Sequence, residues 1–370
     1  MLSRWQRRIA SFGLAAALIA LVACGTPGVA PTQTPAPATA TPARTAAPES
    51  APAAPFVQAT GEVLGRSDRL VIYQPRAGDR FAGIAARFLG DAALGWSIAD
   101  ANAQRDGGGA ANLPEPGKPL IVPLRAFNVA GVDGDRYQTV PILCYHRFGN
   151  VASKMVITPE RFAAQLEWFA RNDYRVIPLA DLRPFLEGRR ALPQRAVVIT
   201  IDDGYESVHR LAFPLLKKYG FAATVFAYTD FIGSSDALSF AQLQEMAGSG
   251  LIDVQSHSKS HRNLVERSAG ETDQRYRANI DAELRVPREV LGKRVSGINV
   301  RHVAYPFGDA NQVVLDSAAQ QGYELGATVT PGGNAFFAQP LLLRRTMIFG
   351  DLDLDGFKSK LQTSRTLAAP

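Results

Sequence analysis

Val197-Val198-Ile199-Thr200-Ile201-Asp202-Asp203-Gly204 is an apolar run that ends in two adjacent carboxylates and a glycine. A run of this kind reads as a strand covered on both faces, as strands of parallel sheets are. At the strand end the two carboxylates can diverge, so that one binds a cation while the other faces a substrate. Short runs of similar character recur at 140–145, 223–228, 252–256, 302–305, 325–329 and 341–349. Helical patterns lie between them at 159–172, 206–219, 240–248, 271–291 and 311–322. The first of these helices opens with Thr158 at the N-cap and Pro159 at N1. This alternation predicts an α/β fold whose parallel strands, helices outside, close or nearly close into a barrel. Catalytic groups should then sit where strands end.

Two further strand ends carry residues that a core would not want. In Ser256-His257-Ser258-Lys259-Ser260-His261 the histidines stand at i and i+4, a spacing that puts both on one face of a helical turn. That is a divalent-metal spacing. Asp203 could complete a two-histidine, one-carboxylate set with positions open to water. In Ala304-Tyr305-Pro306-Phe307-Gly308 a strand ends in a proline and glycine turn, which can aim a backbone N–H into the barrel mouth.

The combination TIDDG, SHSKSH and AYPFG, in this order, resembles the polysaccharide deacetylases of the NodB-homology class. The resemblance covers residues 139–370 and implies a distorted (β/α)7 barrel. It implies Asp202 as general base, and Asp203, His257 and His261 as ligands of a divalent metal, most commonly zinc. It also implies the backbone N–H of Phe307 as part of an oxyanion hole. Amide hydrolysis needs a nucleophilic water, stabilisation of the tetrahedral oxyanion and a proton for the leaving amine, and a bound cation keeps a neighbouring Asp202 ionised.

Two departures from the familiar pattern stand out. The position that usually holds an arginine steadying the catalytic aspartate is Ala304. No histidine follows His302, so the usual late proton donor is missing. The sequence more closely resembles the branch that includes poly-N-acetylglucosamine deacetylases, which shares the Tyr145-His146 pair near the first strand and the Ala304-Tyr305-Pro306 form. His146, at the end of the first barrel strand, is the candidate acid, with a merely structural role as the competing reading. Arg344 or Arg345 is the candidate replacement arginine, and alternation along a strand lets only one of them face inward. His209 and His302 read as structural, and Cys144 as a buried free thiol.

The rest of the chain reads as an address and a smaller module. Residues 1–10 are basic, 12–23 are apolar, and Leu21-Val22-Ala23-Cys24 resembles a bacterial lipobox. Residues 1–23 are therefore expected to be a signal peptide. Cys24 is expected to be lipidated, holding an exported protein at a membrane of the cell envelope. Residues 24–58, with eight prolines, form a tether. Residues 69–125 read as β-α-α-β, with Asp79 placed to cap the first helix. They resemble a LysM module that binds N-acetylglucosamine chains, in a groove near 78–81 and Asn102. The 370-residue chain carries a net charge of +6, which falls to +3 without Arg4, Arg7 and Arg8. That gives no basis for a nucleic-acid partner. Only two cysteines occur, which excludes a disulfide scaffold. The expected function is metal-dependent removal of N-acetyl groups from an N-acetylglucosamine-containing glycan. The alternatives are an O-acetyl esterase on the same fold and a non-catalytic glycan-binding lipoprotein.

Overall fold

The computed structural model describes residues 58–106, 113–126 and 128–367. The signal peptide, Cys24 and nearly all of the tether lie outside the described residues, as do 107–112. Among the described residues no helix is long and apolar enough to cross a membrane.

The smaller module is a three-stranded antiparallel sheet, Glu62–Arg66, Leu70–Gln74 and Leu120–Pro123, with helices Phe81–Leu89 and Gly95–Asp106 against it. Alternation in Leu70–Gln74 sends Val71 and Tyr73 inward, onto Ile84, Ala85, Ile98, Leu120 and Val122. The first strand precedes the expected start of the module. Asp79 does not cap the helix. Arg80 is the N-cap residue and makes no side-chain cap bond. The Asp79 carboxylate instead accepts from the N–H of Thr60 (2.8 Å), Gly61 (3.1 Å) and Arg76 (3.0 Å) and from the Tyr73 hydroxyl (2.7 Å). Tyr73 is buried, and the carboxylate clamps the segment just ahead of the first strand. Burial pushes the Asp79 carboxyl up, but the bonds from Thr60 and Tyr73 more than reverse this, leaving it below its ordinary value.

Asp100, on the second helix, reaches the loop before the strand Ala196–Ile201 and accepts the Gln194 N–H at 3.0 Å. Burial drives its carboxyl up to about 6, and that N–H and Arg175 offset only part of the effect. A raised carboxyl pKa means that the folded state binds more protons than the unfolded chain between about pH 4 and 6. Stability from this group is therefore present at low pH and is lost as pH rises through that window. Asp100→Asn keeps an oxygen for Gln194 and mimics the protonated acid. It should raise stability at pH 8, by the order of 1 kcal/mol, with the gain fading toward pH 4. Thermal unfolding of both proteins at the two pH values checks this, and an equal change at both would contradict it.

The larger sheet has nine strands, of which seven parallel ones run in the order Leu325–Ala327, His302–Ala304, Ile252–Ser256, Ala223–Ala227, Ala196–Ile201, Val140–Tyr145 and Thr346–Met347. Arg175–Val176 pairs parallel with Ala196–Ile201, and Gly333–Asn334 pairs antiparallel with Val140–Tyr145. The stretch 343–348 reaches both edges. Leu343 donates to Gly326 and accepts from Thr328, while Ile348 donates to Cys144. The sheet thus curls into a distorted barrel, closed by a segment that is regular strand only at Thr346–Met347. Leu341 and Leu342, expected as the start of that strand, belong instead to the 3-10 turn Pro340–Leu342, with Pro340 at its first position.

Successive strand residues go to opposite faces. Val140, Ile142, Ala196, Val198, Phe226, Ala304 and Leu343 fill the barrel interior. Leu143, Tyr145, Val197, Ile199 and Ile201 pack outward against the helices. Burial on both faces is why these strands read as unbroken apolar runs. Thr158 caps the helix Pro159–Arg171 through the Arg161 N–H, as expected. The segment read as one helix over 206–219 divides into a π-turn, Val208–Ala212, and an α-helix, Phe213–Tyr219.

Candidate active site

Parity along the strands decides who meets at the barrel mouth. Val198 and Leu343 face inward, and two residues on from each the same face carries Thr200 and Arg345. Arg345 is fully buried. Its Nη1 donates to Asp202 Oδ1 and its Nη2 to Oδ2, both at 2.7 Å, while Nε donates to the Thr328 carbonyl at 2.8 Å. Arg344 points the other way, to the Pro331 carbonyl. The arginine missing at Ala304 is therefore supplied by Arg345 from the closing segment. Burial alone would raise the Asp202 carboxyl, but the Arg345 guanidinium, with His257, more than reverses this and holds it ionised. Arg345 is in turn pushed above its ordinary value by Asp202, against the effect of burial.

The neighbouring carboxylate faces elsewhere because the backbone turns left-handed, with φ 72° at Asp203 and 84° at Gly204. A side chain at Gly204 would be strained there and would press on Ala227. Asp203 Oδ1 lies 3.4 Å from His257 Nε2 and 3.2 Å from His261 Nε2. His257 Nδ1 sits 2.7 Å from the Ala304 carbonyl, so this nitrogen carries the proton and Nε2 offers its lone pair to the site. One ligand atom from each of Asp203, His257 and His261 lies within 4.8 Å of the others. Asp203 Oδ1 is buried and makes no hydrogen bond of acceptable geometry. Two imidazoles and an orphaned carboxylate oxygen converging in this way fit a divalent cation, and the nitrogen and oxygen donor set suits zinc. Burial would raise the Asp203 carboxyl, yet the two histidines hold it far below its usual range. His257 moves up, the two aspartates outweighing its burial.

The i, i+4 histidines do not share a helical turn. Residues 257–261 are irregular, with Ser258 at φ 68° and His261 at φ 61°. Non-glycine residues in this region are uncommon and concentrate at functional sites.

His146 stands beside Cys144 and Asp202, their potential ligand atoms all within 4.8 Å. Burial pushes the His146 imidazole down, toward the neutral form, against the opposing pull of Asp202 and Asp203. Cys144 Sγ lies 3.4 Å from Asp202 Oδ2, and burial keeps it a thiol. The Phe307 N–H belongs to the turn Pro306–Gly308, where Phe307 has φ 61° and the next residue φ 82°. A Cβ on Gly308 would collide with Val329, so only glycine closes this turn. Phe307 is 61% exposed and its ring stands edge-on to His261, whose imidazole also lies 5.0 Å from the Tyr228 ring. His209 lies away from this group and pairs with Glu245 at 2.9 Å. His302 is buried, and burial drives it down to about 4.

In the smaller module Asn102 is committed to the fold: its amide donates to the Ile98 and Ile121 carbonyls, and its oxygen accepts the Ile121 N–H.

Residues 189–326 match the family model for polysaccharide deacetylase. That span holds both aspartates, both histidines and the Pro306 turn. YxkH of Bacillus subtilis (strain 168) is 29% identical over 203 residues, which are 55% of this chain and 69% of that protein. The poly-β-1,6-N-acetyl-D-glucosamine N-deacetylase of Staphylococcus aureus (strain MRSA252) is 26% identical over 197 residues, 50% of this chain and 67% of that one. The structure of IcaB from Ammonifex degensii superposes with a TM-score of 0.54 at 26% identity, over 60% of this chain and 96% of that one. These findings support a polysaccharide deacetylase domain. Arg345 lies beyond the family-model match, on a segment whose register only the closed barrel fixes.

Proposed function

We propose that this chain removes N-acetyl groups from an N-acetylglucosamine-containing polysaccharide, in a reaction that depends on a divalent metal. The observation that carries this reading is a pair of adjacent carboxylates put to different uses. Asp202 is held ionised by a bidentate arginine, while Asp203 joins two imidazole nitrogens around a common point. A zinc ion held by Asp203, His257 and His261 would supply Lewis-acid polarisation of the acetyl carbonyl and acidify a water. Asp202 takes the proton of the attacking water, and Arg345 keeps it free to do so. The Phe307 N–H donates to the developing oxyanion. His146, kept neutral by burial, can receive the proton through Asp202 and pass it to the leaving amine. Tyr228 and Phe307, both packed against His261, offer ring faces to a sugar. The missing arginine and the missing late histidine are what favour a non-catalytic reading; Arg345 answers the first, and His146 is our candidate for the second.

The named activities of the relatives support a poly-β-1,6-linked substrate. Incubating the protein with β-1,6 and β-1,4 N-acetylglucosamine oligomers, and reading products by mass, tests the substrate class. Free amines and acetate are expected. Acetate released only from O-acetylated glycans would replace this reading with an esterase.

The LysM-like module fits this function as a tether to the same polymer, raising its local concentration. A lipidated Cys24 would hold the whole at a membrane of the cell envelope. Cys24→Ser should shift the protein from the membrane fraction to the soluble one, or stall its processing. Equal membrane association of the two forms would overturn the anchor.

A further inference from the structure

We infer that Glu283 is the positioning residue that sets the geometry of the His257–His261 turn, and through it the affinity of the metal site. The inference rests on the reading of these two histidines as ligands. Glu283 is buried on the helix Asp273–Arg294, 22 residues beyond His261. Among the described residues, every hydrogen bond of its side chain goes to the segment between the two histidines. Oε2 accepts the Lys259 N–H at 3.0 Å and the Ser260 N–H at 2.9 Å, and Oε1 accepts the Ser260 hydroxyl at 2.6 Å.

The turn needs such a partner because it has no regular structure of its own. A helical turn would fix two histidines at i and i+4 through its own ladder. Residues 257–261 have no such ladder, and two of them sit in the left-handed region. Within the turn one bond helps, from the His261 N–H to Ser258 Oγ at 3.0 Å. From outside, the Asp230 N–H donates to the Lys259 carbonyl at 2.9 Å and the Thr229 N–H to the Ser258 carbonyl at 3.4 Å. That leaves the Lys259 and Ser260 N–H groups to Glu283. Two successive N–H groups aimed at one carboxylate form a small anion-binding concavity, and the anion is built into the chain. The Lys259 side chain leaves this concavity for Asp230 at 2.6 Å, so its ammonium is engaged outside it. Glu283 thus holds the backbone between the ligands while touching neither imidazole.

Partners one step removed from a metal typically change its affinity 10–100-fold when lost. In the full-length chain, zinc affinity is measured by competition with a chromophoric chelator, and amide hydrogen exchange is followed in the zinc-free protein. Glu283→Ala should weaken zinc binding by roughly 10–100-fold and speed exchange at Lys259 and Ser260. Glu283→Gln, which keeps the shape and one acceptor, should fall between it and the native protein. Turnover at saturating zinc should change far less than affinity. Arg285→Ala, on the exposed face of the same helix, should change none of these. Should Glu283→Ala fail to fold, the glutamine variant decides. Native zinc affinity and native exchange in the variants would overturn the inference. A native chain that binds no zinc, or a His257→Ala variant that keeps it, would overturn the metal reading instead. Exchange at Lys259 and Ser260 would then still decide whether Glu283 holds the turn: faster exchange supports it and unchanged exchange rejects it.

Discussion

Asp202→Asn should lower turnover by roughly 10²–10⁴-fold, the range for loss of a general base, and should also destabilise the fold. The second effect follows from Arg345. Its guanidinium is fully buried, and apart from the Thr328 carbonyl and the Thr200 hydroxyl its partners are the two oxygens of Asp202. An amide in place of the carboxylate leaves a buried cation without its counter-charge, at a cost of about 3–5 kcal/mol. The loss of activity in the single variant is therefore a mixture of missing base and weakened barrel. Asp202→Asn combined with Arg345→Met removes both charges and should recover much of the stability while leaving turnover low. Amine release and denaturant unfolding on the single and double variants separate the two contributions. If the double variant regained both stability and activity, Asp202 would not be the base. If Asp202→Asn lost zinc while Asp203→Asn kept it, the roles of the two carboxylates would be exchanged.

His257→Ala should abolish stoichiometric zinc binding at micromolar metal. The substitution removes a nitrogen ligand and the bond to the Ala304 carbonyl that orients it. Loss of an orienting partner alone costs about 10–100-fold in affinity, so loss of the ligand should exceed about 10²-fold. His209→Ala is the matched control, since that imidazole is spent on Glu245. Elemental analysis after dialysis should find one zinc per chain in the native protein and in the control. Unchanged zinc in His257→Ala would reject the ligand set.

The strands were legible because burial on both faces leaves a signal that needs no partner: Val197, Val198, Ile199 and Ile201 are apolar whichever face they point to. The two aspartates and two histidines were legible for the opposite reason, being polar residues at strand ends that a core would reject. Arg345 could be narrowed only to one of two adjacent arginines. Which one faces inward depends on the parity of a segment whose neighbours, Gly326 and Cys144, are far off in the chain. Glu283 carried no signal at all, because a glutamate on a helix looks like any solvated residue until the turn it holds is in place. The helical reading of the His257–His261 spacing failed because spacing records only how far apart two residues are in sequence. Asp79 failed as a cap for a related reason. An aspartate before a helix satisfies the capping rule, but the N–H groups of Thr60, Gly61 and Arg76 and the Tyr73 hydroxyl compete for this one.

Chelator-stripped protein, assayed for amine release from β-1,6 N-acetylglucosamine oligomers during stepwise return of zinc, tests the central claim most directly. Activity should be absent at the start, rise in proportion to added zinc and reach its plateau at one ion per chain, with Asp203→Asn displaced to higher zinc. Full activity in the stripped protein, or zinc bound at one per chain with no amine released, would contradict the account.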